Sequence, residues 1–149
     1  MILITRPKAE AKKLKKIIED FGYKVHVDSL STMSFPKFQI NQNFKGLILI
    51  SSQRATKIFI ENYSGPKSLP ILVVGNVSYQ KLISAGFSKI LKKAKDSKQI
   101  LKYLKTEYSQ LKKKYKNNLT YLTGTITNKK FINDLEEIGF QIKKKIIYR

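Results

Sequence analysis

The sequence predicts an α/β protein: a three-layer lobe around five parallel strands over residues 36–149, preceded over residues 1–35 by a βαβ unit and a crossover. Three observations carry this reading. The apolar runs Gly46-Leu47-Ile48-Leu49-Ile50 and Ile71-Leu72-Val73-Val74 are continuous rather than alternating, as strands covered on both faces require. The stretches between strands repeat their apolar residues at helical spacing, so strands and helices alternate along the chain. Three helices end on the same signal, Gly22-Tyr23, Gly86-Phe87 and Gly139-Phe140, in which glycine can take the left-handed cap position and the aromatic folds back on the last turn.

Each element follows from its residues. Ile2-Leu3-Ile4-Thr5 is a short strand that Arg6-Pro7 ends, with proline placed where a helix can begin. Ala11, Leu14, Ile17, Ile18 and Phe21 form one helix face, and Val25, Val27 and Leu30 mark a second strand between Lys24 and Leu30. Ser31 to Lys45 lacks periodicity and reads as a crossing segment. Gly46 to Ile50 is the next buried strand, and Gln53 to about Tyr63 a helix carrying Ala55, Ile58 and Phe59 on one face. Ser64-Gly65-Pro66 and Pro70 break the chain before the strand at Ile71. Gly75-Asn76-Val77-Ser78 then suits a strand-to-helix turn, since Asn or Ser can cap a helix start. A short strand follows near Ser88 to Leu91, and a helix runs from about Ser97 to Lys113 with Ile100, Leu101, Leu104, Tyr108 and Leu111 inward. The strand Leu119 to Gly124, a helix to Ile138 and the strand Gln141 to Arg149 complete the pattern.

Composition removes several function classes. At 149 residues with 42% apolar content the chain can bury a full core. No apolar run approaches the roughly 20 residues of a membrane span, and the first residues carry no signal-peptide pattern, so a cytoplasmic protein without membrane partners is expected. The absence of cysteine excludes thiol catalysis and cysteine metal sites, and the single histidine, His26, leaves no histidine cluster, so no metal is expected. His26 alternates with Val25 and Val27 and reads as solvent-facing. The net charge of +20 invites a nucleic-acid reading, but only Arg6, Arg54 and Arg149 of the 30 basic residues are arginine. An AT-biased coding sequence produces such a lysine excess without any partner. The clusters Lys12-Lys13, Lys92-Lys93, Lys112-Lys113-Lys114 and Lys143-Lys144-Lys145 are scattered, which argues against a nucleic-acid face. A strongly positive field still favours a polyanionic small molecule.

In open parallel sheets ligands bind beyond the carboxyl ends of the strands. Those ends read Thr5-Arg6-Pro7, Ser51-Ser52-Gln53-Arg54, Gly75-Asn76-Val77-Ser78 and Gly124-Thr125-Ile126-Thr127, all small, hydroxylic or rich in glycine. None is a phosphate loop or a dinucleotide fingerprint, and no nucleophile, histidine and acid set exists. The residues alone therefore support a cleft that binds an anion through backbone N–H and hydroxyl groups.

These residues resemble the uroporphyrinogen-III synthase family along essentially the whole chain. Ile2-Leu3-Ile4-Thr5-Arg6-Pro7 resembles the family's opening strand and Thr-Arg-Pro turn, and Leu14 to Val27 its first helix and second strand. Ser51-Ser52 falls at its Thr-Ser strand end, and Val73-Val74-Gly75-Asn76-Val77-Ser78 at its Val-Gly-x-x-Thr turn. Tyr121-Leu122-Thr123-Gly124, followed by Lys129-Lys130-Phe131, is similar to its Leu-Arg-Gly strand and the helix after it, and Ile146-Ile147-Tyr148-Arg149 to its Val-Tyr-Arg/Gln-Thr segment. The resemblance implies a two-lobed α/β protein with the active site between lobes, residues 36–149 forming a flavodoxin-like lobe. It implies a cofactor-independent lyase of haem biosynthesis that cyclises hydroxymethylbilane, a linear tetrapyrrole with eight carboxylates, while inverting the last ring through a spiro intermediate. It places Tyr148 at the cleft tyrosine that protonates the departing hydroxyl, and Ser51, Ser52, Gly75, Asn76, Ser78 and Gly124 among the substrate-binding positions.

Family chains continue well beyond this tyrosine. Residues 1 to about 30 are therefore expected to be a fragment of a mostly missing lobe, which a separate C-terminal half or a second copy covers, or which frays in a chain that has lost activity. The isolated chain is expected to make little uroporphyrinogen III above the spontaneous closure that gives the I isomer. Two further readings of the residues remain open: a non-catalytic α/β anion-binding module and, third, a basic nucleic-acid binder.

Overall fold

The structure, a computed structural model, describes residues 1–6, 8–29, 40 and 44–149. The chain forms two compact units, Met1–Ser34 and Phe35–Arg149. Most of the predicted crossing segment, and Leu30 of the predicted second strand, lie outside the described residues.

In the first unit β1 (Ile2–Ile4) and β2 (Val25–Val27) pair in parallel, Ile2 opposite Val25 and Ile4 opposite Val27. The helix α1 (Lys8–Asp20) connects them and packs on one sheet face, where Ile4, Ala11 and Val25 are buried among Ile2, Leu14, Ile18 and Val27. Period-two alternation puts Leu3 and His26, register partners, on the other face, and both are exposed. His26 is solvent-facing, as its alternation with two valines predicts.

The second unit is built on five parallel strands: β3 (Leu47–Ile50), β4 (Ile71–Val74), β5 (Ile90–Ala94), β6 (Asn118–Gly124) and β7 (Gln141–Tyr148). Their spatial order is β5-β4-β3-β6-β7, so β3 is central and its four residues are fully buried. The run Leu47-Ile48-Leu49-Ile50 has no polar member because alternate residues feed two separate cores. Ile48 and Ile50, with Ile71 and Val73, face α2 (Gln53–Asn62) and α3 (Asn76–Ser84), where Phe59 stacks on Tyr63 at 5.0 Å and tilts against Phe87 at 5.3 Å. Leu47, Leu49 and Leu72 face α4 (Ser97–Tyr115) and α5 (Lys129–Ile138), through Ile100, Leu104, Leu111, Phe131 and Leu135. Two helices cover each face, the three-layer arrangement the sequence predicts.

Two boundaries in the second unit differ from the sequence reading, and in the first β2 stops at Val27, Asp28 and Ser29 lying outside the strand expected from Lys24 to Leu30. The fifth strand runs Ile90–Ala94 rather than near Ser88 to Leu91. The amides of Gly86 and Phe87 fold back on Ile83 O and Leu82 O, so the helix stop takes up residues before the strand can start. As an edge strand β5 then continues through Lys92 and Lys93, whose side chains reach water. The helix α4 extends to Tyr115, where Lys116 turns to a positive φ of 60°. The last α4 turn holds Lys112, Lys113 and Lys114, cations that suit the negative end of the helix dipole. The Gly139 stop is as predicted: its N–H reaches Glu136 O and Leu135 O, and Phe140 folds back to meet Tyr108 edge-on at 5.2 Å.

Burial gives Tyr63 a testable role. Its hydroxyl donates to Pro66 O at 3.2 Å, and desolvation raises its ionisation above the ordinary tyrosine value. In alkali the unfolded chain releases this proton first, binds fewer protons than the native one, and stability falls as pH rises through about 10 and beyond. Tyr63→Phe is expected to cost about 1 kcal/mol at neutral pH through the lost hydrogen bond. It should also flatten the alkaline fall in unfolding free energy. An alkaline slope identical to that of the unsubstituted protein would remove Tyr63 from this account.

Candidate functional site at the carboxyl edge

The chain lays down β3, β4 and β5 outward in one direction, then returns across the opposite face through α4 and adds β6 and β7 on the other side of β3. The order therefore reverses between β3 and β6. After β3 the chain turns toward α2 on one face, whereas after β6 it turns toward α5 on the other, so the two connections diverge and open a crevice at their root. Ser51 and Ser52 follow β3, Gly124 ends β6 and Tyr148 ends β7. Gly75, Asn76 and Ser78 follow β4, one strand away.

At the crevice four residues meet. Ser52 caps α2, its Oγ accepting from Ala55 N at 3.1 Å, and the same oxygen lies 3.4 Å from the Tyr148 hydroxyl. Tyr148 Cδ2 and Cζ occupy the direction in which Gly124 would carry a Cβ, at 3.0 and 2.6 Å from that position. The guanidinium of Arg54, in the first turn of α2, stands over the Tyr148 ring at 5.6 Å from its centroid. A bulge between Thr123 and Gly124 brings Gly124 opposite Tyr148 in the ladder.

The other predicted positions are differently employed. Ser51 Oγ shares a 2.6 Å hydrogen bond with the Tyr121 hydroxyl, which ties the end of β3 to β6. Gly75 N–H is already committed to Ala94 O at 2.8 Å, so the donors remaining at this turn are the first amides of α3, which have no partner inside the helix. Gly75 N-caps α3 without a side-chain bond, and Asn76 Oδ1 instead accepts from Lys93 Nζ at 3.2 Å. Ser78 is fully buried and its Oγ has no hydrogen-bond partner among the described residues. Its hydroxyl lies beneath the surface of the turn.

Three side chains at this edge were not singled out from the sequence: Arg54, Tyr121 and Lys144. Arg54 follows directly on the Ser51-Ser52 strand end, and only the α2 start aims it back over the crevice. Lys144, on β7, donates to Thr127 Oγ1 at 3.0 Å and approaches Thr125 O at 3.4 Å, holding the loop after β6, where Ile126 is almost fully exposed. Arg54, Lys93 and Lys144 thus bring positive charge to the same edge as the uncapped α3 amides, a field that suits a carboxylate ligand. Among the described residues no group of three His, Cys, Asp or Glu could hold a metal ion, and no helix is long and apolar enough to cross a membrane.

A sequence model of the uroporphyrinogen-III synthase HemD family matches residues 12–149. The chain belongs to this family. Two solved structures similar to it are a mutant uroporphyrinogen III synthase from the extremely thermophilic bacterium Thermus thermophilus, at 15% identity and a TM-score of 0.73, and a second structure titled as the Thermus thermophilus synthase, at 17% identity and a TM-score of 0.57. At such identities the likeness shows the fold. Each covers 99% of this chain, whereas this chain spans only 61% and 62% of theirs. No curated protein sequence matches. The five-stranded parallel sheet and the small parallel sheet match the synthase fold.

Proposed function

We propose that this chain supplies the carboxyl-edge wall of a uroporphyrinogen-III synthase, an enzyme that closes hydroxymethylbilane with inversion of the last ring. The observation that supports it is the meeting of Ser52, Gly124 and Tyr148 at the point where strand order reverses, in a chain that belongs to this family. A phenol O–H can donate a proton or a hydrogen bond. As the substrate's C–O bond breaks, Tyr148 gives its proton to the departing hydroxyl, which leaves as water; the proton that the pyrrole carbon sheds when the ring closes restores the phenol, which Ser52 Oγ neighbours at 3.4 Å. The α3 amides and the cations of the edge hold carboxylates, and the small residues of the strand ends leave room for pyrrole rings. No cofactor enters this scheme.

The test has two parts. Titrating the purified chain with uroporphyrin, an octacarboxylate product analogue, should give saturable binding that weakens as salt rises. Expressing the natural gene in a host without its own synthase should raise the III isomer above the I isomer that forms spontaneously. Saturable binding without the III isomer would favour the non-catalytic anion-binding module. Absence of both would remove this reading.

A further inference from the structure

We infer that Arg54 and Gly124 are positioning residues for Tyr148, a two-sided clamp that fixes the plane of its ring and aims its hydroxyl at the crevice. The inference rests on the proposed role of Tyr148 for its catalytic meaning, but its geometry stands independently. One side of the clamp is an absence: the ring occupies the space of the missing Gly124 Cβ, so any other residue at 124 would have to displace it. The other side is a charge. The Arg54 guanidinium over the ring face, 5.6 Å from its centroid, is attracted to the aromatic quadrupole, and a planar, weakly hydrated guanidinium suits an aromatic face better than a lysine ammonium does. The third contact is Ser52 Oγ at the ring's tip.

These partners also explain why the ring does not turn outward. Tyr148 is the last residue of β7, an edge strand, and is only half-buried, so strand pairing alone does not determine its side-chain direction. Ser52 and Arg54 belong to one rigid piece, because Ser52 caps the helix whose first turn carries Arg54. A single helix start thus sets both the point the hydroxyl reaches and the charge over the ring. The same arrangement serves chemistry: once Tyr148 has given up its proton, the phenolate lies beside a fixed cation and needs no reorganisation to be stabilised. Gly124, placed among substrate-binding positions by the family resemblance, acts through Tyr148 in this account.

The clamp is tested by a spectroscopic signature that does not depend on turnover. A ring lying on Gly124 shifts the Gly124 Hα resonances upfield, and Tyr148→Leu identifies that shift by abolishing it. Arg54→Gln is expected to reduce the shift by more than half. Arg54→Lys, which keeps the charge without the plane, should retain an intermediate value. Gly124→Ala should displace the ring and change the Tyr148 ring resonances in an otherwise native spectrum. Where turnover is measured, Arg54→Gln should lower kcat about tenfold with KM nearly unchanged, and should add nothing in a Tyr148→Phe background. Gly124 Hα shifts unaffected by Arg54→Gln would overturn the clamp. A reduced shift together with full turnover of Tyr148→Phe would leave the clamp standing and sink the proposed function instead.

Discussion

Tyr148→Phe is expected to lower formation of the III isomer by about 10²–10⁴-fold, the usual range for losing a positioned general acid. Binding of uroporphyrin should change by less than about twofold, because a proton donor acts in the transition state and the ring, which phenylalanine keeps, still fills the space beside Gly124. The measurement is product-isomer analysis in a host lacking its own synthase and expressing the natural gene, with Tyr121→Phe as the comparison. Tyr121 is also a tyrosine of this edge, but its hydroxyl is tied to Ser51 and its ring is buried against Phe131. Tyr121→Phe should therefore cost stability, about 1 kcal/mol, more than turnover. Equal turnover of the Tyr148→Phe and unsubstituted proteins would take Tyr148 out of the mechanism.

Gly46→Ala should be the most damaging small substitution in the larger unit. Gly46 precedes β3 at a φ of +83°, and a Cβ there would lie 2.8 Å from Asn118 Cβ and 2.9 Å from Asn118 C, closer still to its carbonyl oxygen. The left-handed backbone alone costs an alanine roughly 1–2 kcal/mol. The collision adds to this, because its partner is backbone at the start of β6 and cannot swing away without disturbing the pairing of Leu47 with Leu119. A total of about 3 kcal/mol or more is expected, a fall in Tm of about 10 °C. Gly86→Ala is the control. Gly86 has a similar φ of +88° but nothing within 4 Å of its Cβ position, so only the backbone cost applies there. Equal losses at the two positions would show that β6 yields and that the contact at Asn118 is unimportant.

Much of this architecture was legible in the residues. An unbroken apolar run such as Leu47-Ile48-Leu49-Ile50 can be buried only where both faces of a strand are covered, and that condition implies parallel strands between helix layers. The glycine-aromatic stops were equally direct, because the geometry of a helix end is decided within a few residues. The strand ends followed from the same local signals, and so did the list of small and hydroxylic residues at one sheet edge. Local sequence does not carry strand order. Nothing in Leu119 to Gly124 says that β6 enters beside β3 rather than beyond β5, yet that choice creates the reversal and its crevice.

The same distinction explains the site. Tyr148 and Ser52 are 96 residues apart, and Ser51 and Tyr121 are 70 apart, so their contacts exist only after β6 and β7 have docked. Ser78 could be read as a hydroxyl on a ligand turn, but only packing determines that it is buried. Gly124 could be read as a small residue near substrate, but only the tertiary structure puts the Tyr148 ring in the space of its absent side chain. Residue type and periodicity thus determined the elements, because these depend on bonds within a few residues and on which faces shun water. The order of the strands, and with it the company each side chain keeps, was decided by the packing of two helix layers on one sheet, where the contacts are made between residues far apart in the chain.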